Sequence, residues 1–142
     1  VGEGADITAE FIVTENHQGA PGLAHGGLLS LAFDEALGKL MWLLRAPAVT
    51  ARLETDFLKP VPIGTRLYIT ARITGQVNRK VYSEAEGRIG GPDGEIAVRA
   101  ASLFVIVPMK HFLENAPADY LETMRKNPEL LSFVDPEFDI NP

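Results

Sequence analysis

A chain of 142 residues, 46% of them hydrophobic, has the length of one compact domain and enough apolar side chain for a core. Thirteen Lys and Arg against nineteen Asp and Glu leave a net charge of −6, which argues against general nucleic-acid binding. There is no cysteine, which excludes disulfides, thiolate nucleophiles and cysteine-held metals; His17, His25 and His111 lie too far apart for a local metal motif, so neither metal nor cofactor is expected.

The first predicted element is a short strand over 9–16, "AEFIVTEN". A loop follows, "HQGAPGLAHGG", in which five of eleven residues are Gly or Pro. A long helix is expected from Gly26 to Arg45, stopped by Ala46-Pro47. Its length approaches a membrane span, but Asp34, Glu35, Lys39 and Arg45 interrupt it, so a buried helix in a soluble protein is the expectation. The N-terminal residues do not read as a signal or transit segment, and a cytoplasmic protein is expected.

Beyond the helix the apolar period changes from helical to two. One strand places Ala51, Leu53, Thr55 and Phe57 opposite Arg52, Glu54 and Asp56. The next places Leu67, Ile69, Ala71 and Ile73 opposite Arg66, Tyr68, Thr70 and Arg72. A third sets Val81, Ser83, Ala85, Gly87 and Ile89 against Tyr82, Glu84, Glu86 and Arg88. "GGPDGE" (90–95) is a turn, and "IAVRAASLFVIV" is a long closing strand. Half-polar strands in succession predict an antiparallel sheet with one covered face, and the apolar helix predicts that the sheet curves around it. The class is α+β, a single domain over 1–109. The acidic segment 110–142, three basic against seven acidic side chains, reads as an extension with one short helix near 118–126, not as a second domain.

The chemistry is concentrated at the helix. Its first N–H groups lack intrahelical partners and carry partial positive charge, and glycine there lets another molecule approach the backbone. Gly26 and Gly27 therefore suit a developing oxyanion, such as forms when an acyl carbonyl is attacked, although two glycines also simply end loops. Asp34 sits in a helix with Leu28, Leu29, Leu31, Phe33, Leu37, Leu40 and Leu44 around it, where a carboxylate is costly unless paired or used; a solvent-facing seam shared with Glu35, or a pair of one of them with Arg52 or Lys39, is the other reading. Eight residues of helix separate Gly26 from Asp34 by roughly 12 Å, too far to act on one carbonyl in one subunit. Two antiparallel copies across a two-fold axis would bring them together, so a homodimer with shared sites is expected.

"HGGLLSLAFDEALG", with Asp nine residues after the His, resembles the hotdog-fold acyl-CoA thioesterases of the PaaI type. "VTARLETDFLKPVPIG", "GQVNRKVYSEAEGRI" and "AASLFVIV" are similar to that family's later strands, and the likeness spans roughly residues 9–108 in order. It implies a five-stranded antiparallel sheet around one helix, a homodimer that can pair into a dimer of dimers, and hydrolysis of acyl-CoA thioesters, with coenzyme A as part of the substrate. By position it implies that the Gly26 N–H polarises the carbonyl and that His25 shapes the turn. Asp34 would activate water or attack directly, and Thr50 would hold the water. Some relatives carry a carbonyl-binding Asn ahead of HGG; here Asn16, His17 or Gln18 stands in that loop, with His17 favoured. Lys59, Arg79 and Lys80 would meet the coenzyme A phosphates, with Gly27 and Asp56 beside the ligand. Two other functions remain open: a hydratase or dehydratase using His25 and a carboxylate, and an acyl-CoA binding or sensing module that needs no Asp34. No G-x-S-x-G motif supports a serine hydrolase.

Overall fold

The computed structural model describes residues 6–115, 118, 119 and 126. The described elements are β1 (Asp6–Ile12), a 3-10 turn (Glu15–His17), α1 (Gly26–Leu43), β2 (Ala48–Phe57), β3 (Arg66–Val77), β4 (Lys80–Ile89), β5 (Ile96–Ile106) and α2 (Met109–Asn115). The five strands form one sheet in the order β1-β3-β4-β5-β2, every pair antiparallel. The α+β class and the sheet folded against one long helix are as the patterning predicted. The helix near 118–126 falls largely outside the described residues.

Alternation holds on β3 and β4, where Leu67, Ile69, Ala71, Val81, Ser83, Ala85 and Gly87 face the helix and are buried. Against them α1 buries Leu29, Phe33, Ala36, Leu37, Leu40 and Met41. Contact is closest at Gly87, where an added Cβ would lie 2.7 Å from Phe33 Cζ, so only glycine admits the ring. Ser83 and Ser102 are buried polar side chains in this layer, and their hydroxyls satisfy each other at 2.6 Å.

Four features differ from the sequence reading. The first strand ends at Ile12 rather than at 16, because Thr14 caps the turn that follows: its N–H donates to His17 Nδ1 at 2.9 Å. Helix α1 ends at Leu43, with Arg45 in the left-handed region at φ 55°. There Arg45 N–H donates to Trp42 O and Ala46 N–H to Met41 O, a Schellman closure that ends the helix before Pro47. Nor do the described residues enclose the helix on every side. Leu31, Trp42 and Leu43 remain 56%, 58% and 54% exposed, since one five-stranded sheet covers only one side of a cylinder.

The fourth difference is in β2. Strict alternation would put Thr50 on the face of Arg52, Glu54 and Asp56. The register slips between Thr50 and Arg52: Thr50 pairs with Phe104 and Arg52 with Leu103, leaving Ala51 as the extra residue of a β-bulge. Because Phe104 is an inward residue, the bulge turns Thr50 inward, onto the face of Leu53, Thr55 and Phe57.

Candidate active site at the start of the central helix

Helix α1 runs antiparallel to β2, and three contacts fix their relative register. Phe57 lies beside Gly26, Ser30 Oγ donates to Thr55 Oγ1 at 3.4 Å, and Thr50 Oγ1 donates to Asp34 Oδ1 at 2.9 Å. Asp34 is half-buried and Glu35 exposed, so the two carboxylates part company as the 100° helical step requires. The Thr50 hydrogen bond orients one carboxylate oxygen and leaves the other lone-pair positions for water or substrate. Among the described residues, neither Arg52 nor Lys39 pairs with Asp34: Arg52 bonds Glu54 at 2.6 Å.

The helix start is built by its two histidines. His25 is the N-cap, and its Nδ1 accepts the Gly27 N–H at 2.9 Å. This consumes one of the free donors of the first turn and leaves the Gly26 N–H without that partner. The His25 N–H in turn donates to the His17 carbonyl at 2.7 Å, tying the preceding loop to the cap. The His17 ring itself is engaged: Nδ1 accepts from Thr14, and the ring packs on Phe11 with centroids 4.7 Å apart. Only its Nε2 side is left to meet a ligand. Gln18 Oε1 accepts the Gly22 N–H at 2.9 Å and so serves the loop, while Asn16 is exposed.

The two glycines have different reasons to be there. A Cβ on Gly27 would stand 3.0 Å from His25 Cε1 and 3.1 Å from Nδ1, so a side chain there requires the capping ring to shift. At Gly26 the nearest atoms to such a Cβ are those of Phe57, at 3.4, 3.7 and 3.8 Å, ordinary contact distances. Gly26 is also not among the positive-φ residues. Nothing among the described residues forbids a side chain at 26.

The remaining candidates are not gathered at one place. Asp56 pairs in register with Arg99 on the outer face of the sheet, away from α1, so it does not line the helix side. Lys59 is bound to Glu95, whose carboxyl is held below the ordinary carboxylate range, first by the Lys59 hydrogen bond and then by its charge. Arg79 and Lys80 are exposed at the β3–β4 turn, where Lys80 pairs with Val105 and Val105 with Val49. That turn lies near the beginning of β2, whereas Lys59 lies past its end, so roughly 30 Å of strand separates them in one protomer. Phe57, the Ala51 bulge and the Lys59–Glu95 pair escaped sequence reasoning, since each depends on residues far apart in the chain. Among the described residues, no group of three His, Asp or Glu side chains could hold a metal ion. No helix among them is long and apolar enough to cross a membrane.

The family model of the thioesterase superfamily matches residues 21–95, which include the helix start, Asp34, Thr50 and Phe57. The chain belongs to that superfamily, and its fold is the hotdog fold, shared with the PaaI protein of E. coli. The acyl-coenzyme A thioesterase THEM4 of Xenopus laevis is 28% identical over 88 residues, covering 62% of this chain and 39% of its own. A crystal structure of a thioesterase superfamily protein superposes with a TM-score of 0.66 at 29% identity, over 71% of this chain and 49% of that one. A hypothetical thioesterase from Streptococcus pneumoniae, solved with coenzyme A, gives 0.68 at 18% identity, over 72% and 82%. The chain spans about two fifths of the length of the THEM4 relative it matches.

Proposed function

We propose that this protein hydrolyses acyl-CoA thioesters, as a homodimer in which each site joins Gly26 of one chain to Asp34 of the other. The observation that carries the reading is the pairing of Asp34 with Thr50. A half-buried carboxylate, oriented by a hydroxyl that a β-bulge has turned inward, is an arrangement a packing role does not need. Gly26 supports it from the other side, because its lack of a side chain is not demanded by the fold.

The separation of roughly 12 Å along the helix requires the second copy. Two features favour it: among the described residues β2 is an edge strand, with one side of its backbone unpaired by a neighbouring strand, and α1 leaves Leu31, Trp42 and Leu43 exposed. Helices antiparallel across a two-fold axis would exchange Gly26 and Asp34, and would carry Lys59 toward the partner's Arg79 and Lys80. Those cations suit the coenzyme A phosphates, and Arg79 and Lys80 make no ion pair among the described residues. In the reaction the Gly26 N–H stabilises charge growing on the carbonyl oxygen. Asp34 acts as general base on water or as nucleophile, and the thiol of coenzyme A leaves as the free acid forms. No metal or other cofactor takes part in this scheme.

The test is thiol release from acyl-CoAs of graded length by wild type and Asp34→Asn, with oligomeric state followed in parallel. Wild-type turnover and a loss of about a hundredfold in a still dimeric variant support the scheme. Binding of acyl-CoA without release by wild type would instead establish a binding module.

A further inference from the structure

The Phe57 ring supplies the three atoms nearest to the position a side chain at Gly26 would take. Its Cζ, Cε1 and Cε2 lie 3.4, 3.7 and 3.8 Å from the position a Cβ at 26 would take. A helical Cβ projects outward from the axis, whereas the first-turn N–H points along it. The ring therefore flanks the Gly26 N–H instead of lying across it. It occupies the space beside a group bonded to that N–H and leaves the N–H itself accessible.

Phe57 is also an odd residue to leave as it is. It ends β2 opposite Val98, which is fully buried, yet it remains 51% exposed, and Leu58 beside it is 49% exposed. One side of the ring is spent on a glycine, which offers little apolar surface in return. An aromatic side chain normally buries far more of its area.

We infer that Phe57 is a specificity-determining residue of this site, its ring limiting the bulk an acyl group can carry on the carbon next to the carbonyl. The inference rests on the Gly26–Asp34 site described above. A carbonyl oxygen at the Gly26 N–H places the adjacent carbon within a few ångströms of the ring edge. A straight chain passes the edge, and a branch at that carbon meets it. The ligand class that follows is thioesters unbranched beside the carbonyl.

The measurement compares kcat/KM for n-butyryl-CoA and isobutyryl-CoA, isomers that differ only in branching at that carbon. Phe57→Leu lacks the three ring atoms nearest Gly26, and Phe57→Met restores reach without the ring. Phe57→Leu is expected to raise the isobutyryl-to-butyryl ratio about tenfold, the scale of discrimination for about one methylene in a pocket. Phe57→Met is expected to return the ratio toward wild type. An unchanged ratio, with activity on both isomers kept or lost equally in folded variants, overturns the inference and leaves Phe57 a packing residue. Asp34→Asn, run alongside, separates the two levels. Its loss of activity with an unchanged Phe57→Leu ratio sinks only this inference, and its retention of activity sinks the site and the inference together.

Discussion

Replacing Gly26 with alanine separates folding from catalysis at one atom. The new methyl would touch the Phe57 ring at 3.4 Å and meet nothing closer, and position 26 needs no left-handed backbone. Alanine in place of glycine restricts the unfolded chain and favours the helical backbone, together worth about 0.4–1 kcal/mol where the conformation is compatible. For a chain of this size that corresponds to a melting temperature unchanged or raised by about 2–4 °C. In the proposed site the same methyl would fill the space between the Gly26 N–H and the Phe57 ring, where the substituents of a bound thioester carbonyl must lie, and would hold the carbonyl off that donor. Losing one preorganised donor costs about 10²–10³ in kcat. The assay is thiol release from the best acyl-CoA, with a thermal melt on the same preparation. Stable protein with about a hundredfold lower kcat is the expected result. Activity within about threefold of wild type would refute the role given to Gly26, and a melting point lowered by more than about 5 °C would refute the claim that the fold leaves room there.

Thr50→Val removes the hydroxyl bound to Asp34 but keeps the shape, and is expected to lower kcat by tenfold or more, about 1.4 kcal/mol, while Thr50→Ser retains activity. Equal kcat in Thr50→Val and wild type would show the hydrogen bond to be incidental. Gly87→Ala places a Cβ 2.7 Å from Phe33 Cζ and should destabilise by about 1–3 kcal/mol, read from a denaturant melt. The Lys59–Glu95 contact has a defined pH signature. Because the Glu95 carboxyl is depressed from 4.5, its contribution is fully present above that value and is lost as pH falls through the lowered one. Melting points of wild type and Glu95→Gln should therefore differ near neutrality and converge in acid; a gap that persists undiminished in acid would contradict this.

Much of the architecture was legible because it rests on local periods. The two-residue alternation of Leu67–Ile73 and Val81–Ile89, and the glycine-rich entry before Leu28, are patterns within single elements, and each appears where it was expected. The site was legible only as residue types at spacings. His25 before Gly26 and Asp34 eight residues on marked a helix start with a carboxylate inside. Chain order could not say which way Thr50 points, since strict alternation puts it outside, and one extra residue at Ala51 reverses that. It also could not show that Lys59 is held by Glu95, thirty-six positions away.

Sequence by itself determined the fold class and the chemical character of the helix start, because hydrophobic period and backbone donors at a helix end are properties of a few neighbouring residues. Tertiary structure alone decided three things: Thr50 faces Asp34, Phe57 flanks Gly26, and the described residues leave one side of α1 uncovered. Each is a matter of register between elements, set by the packing of the whole sheet against the helix, and no short stretch of chain contains it.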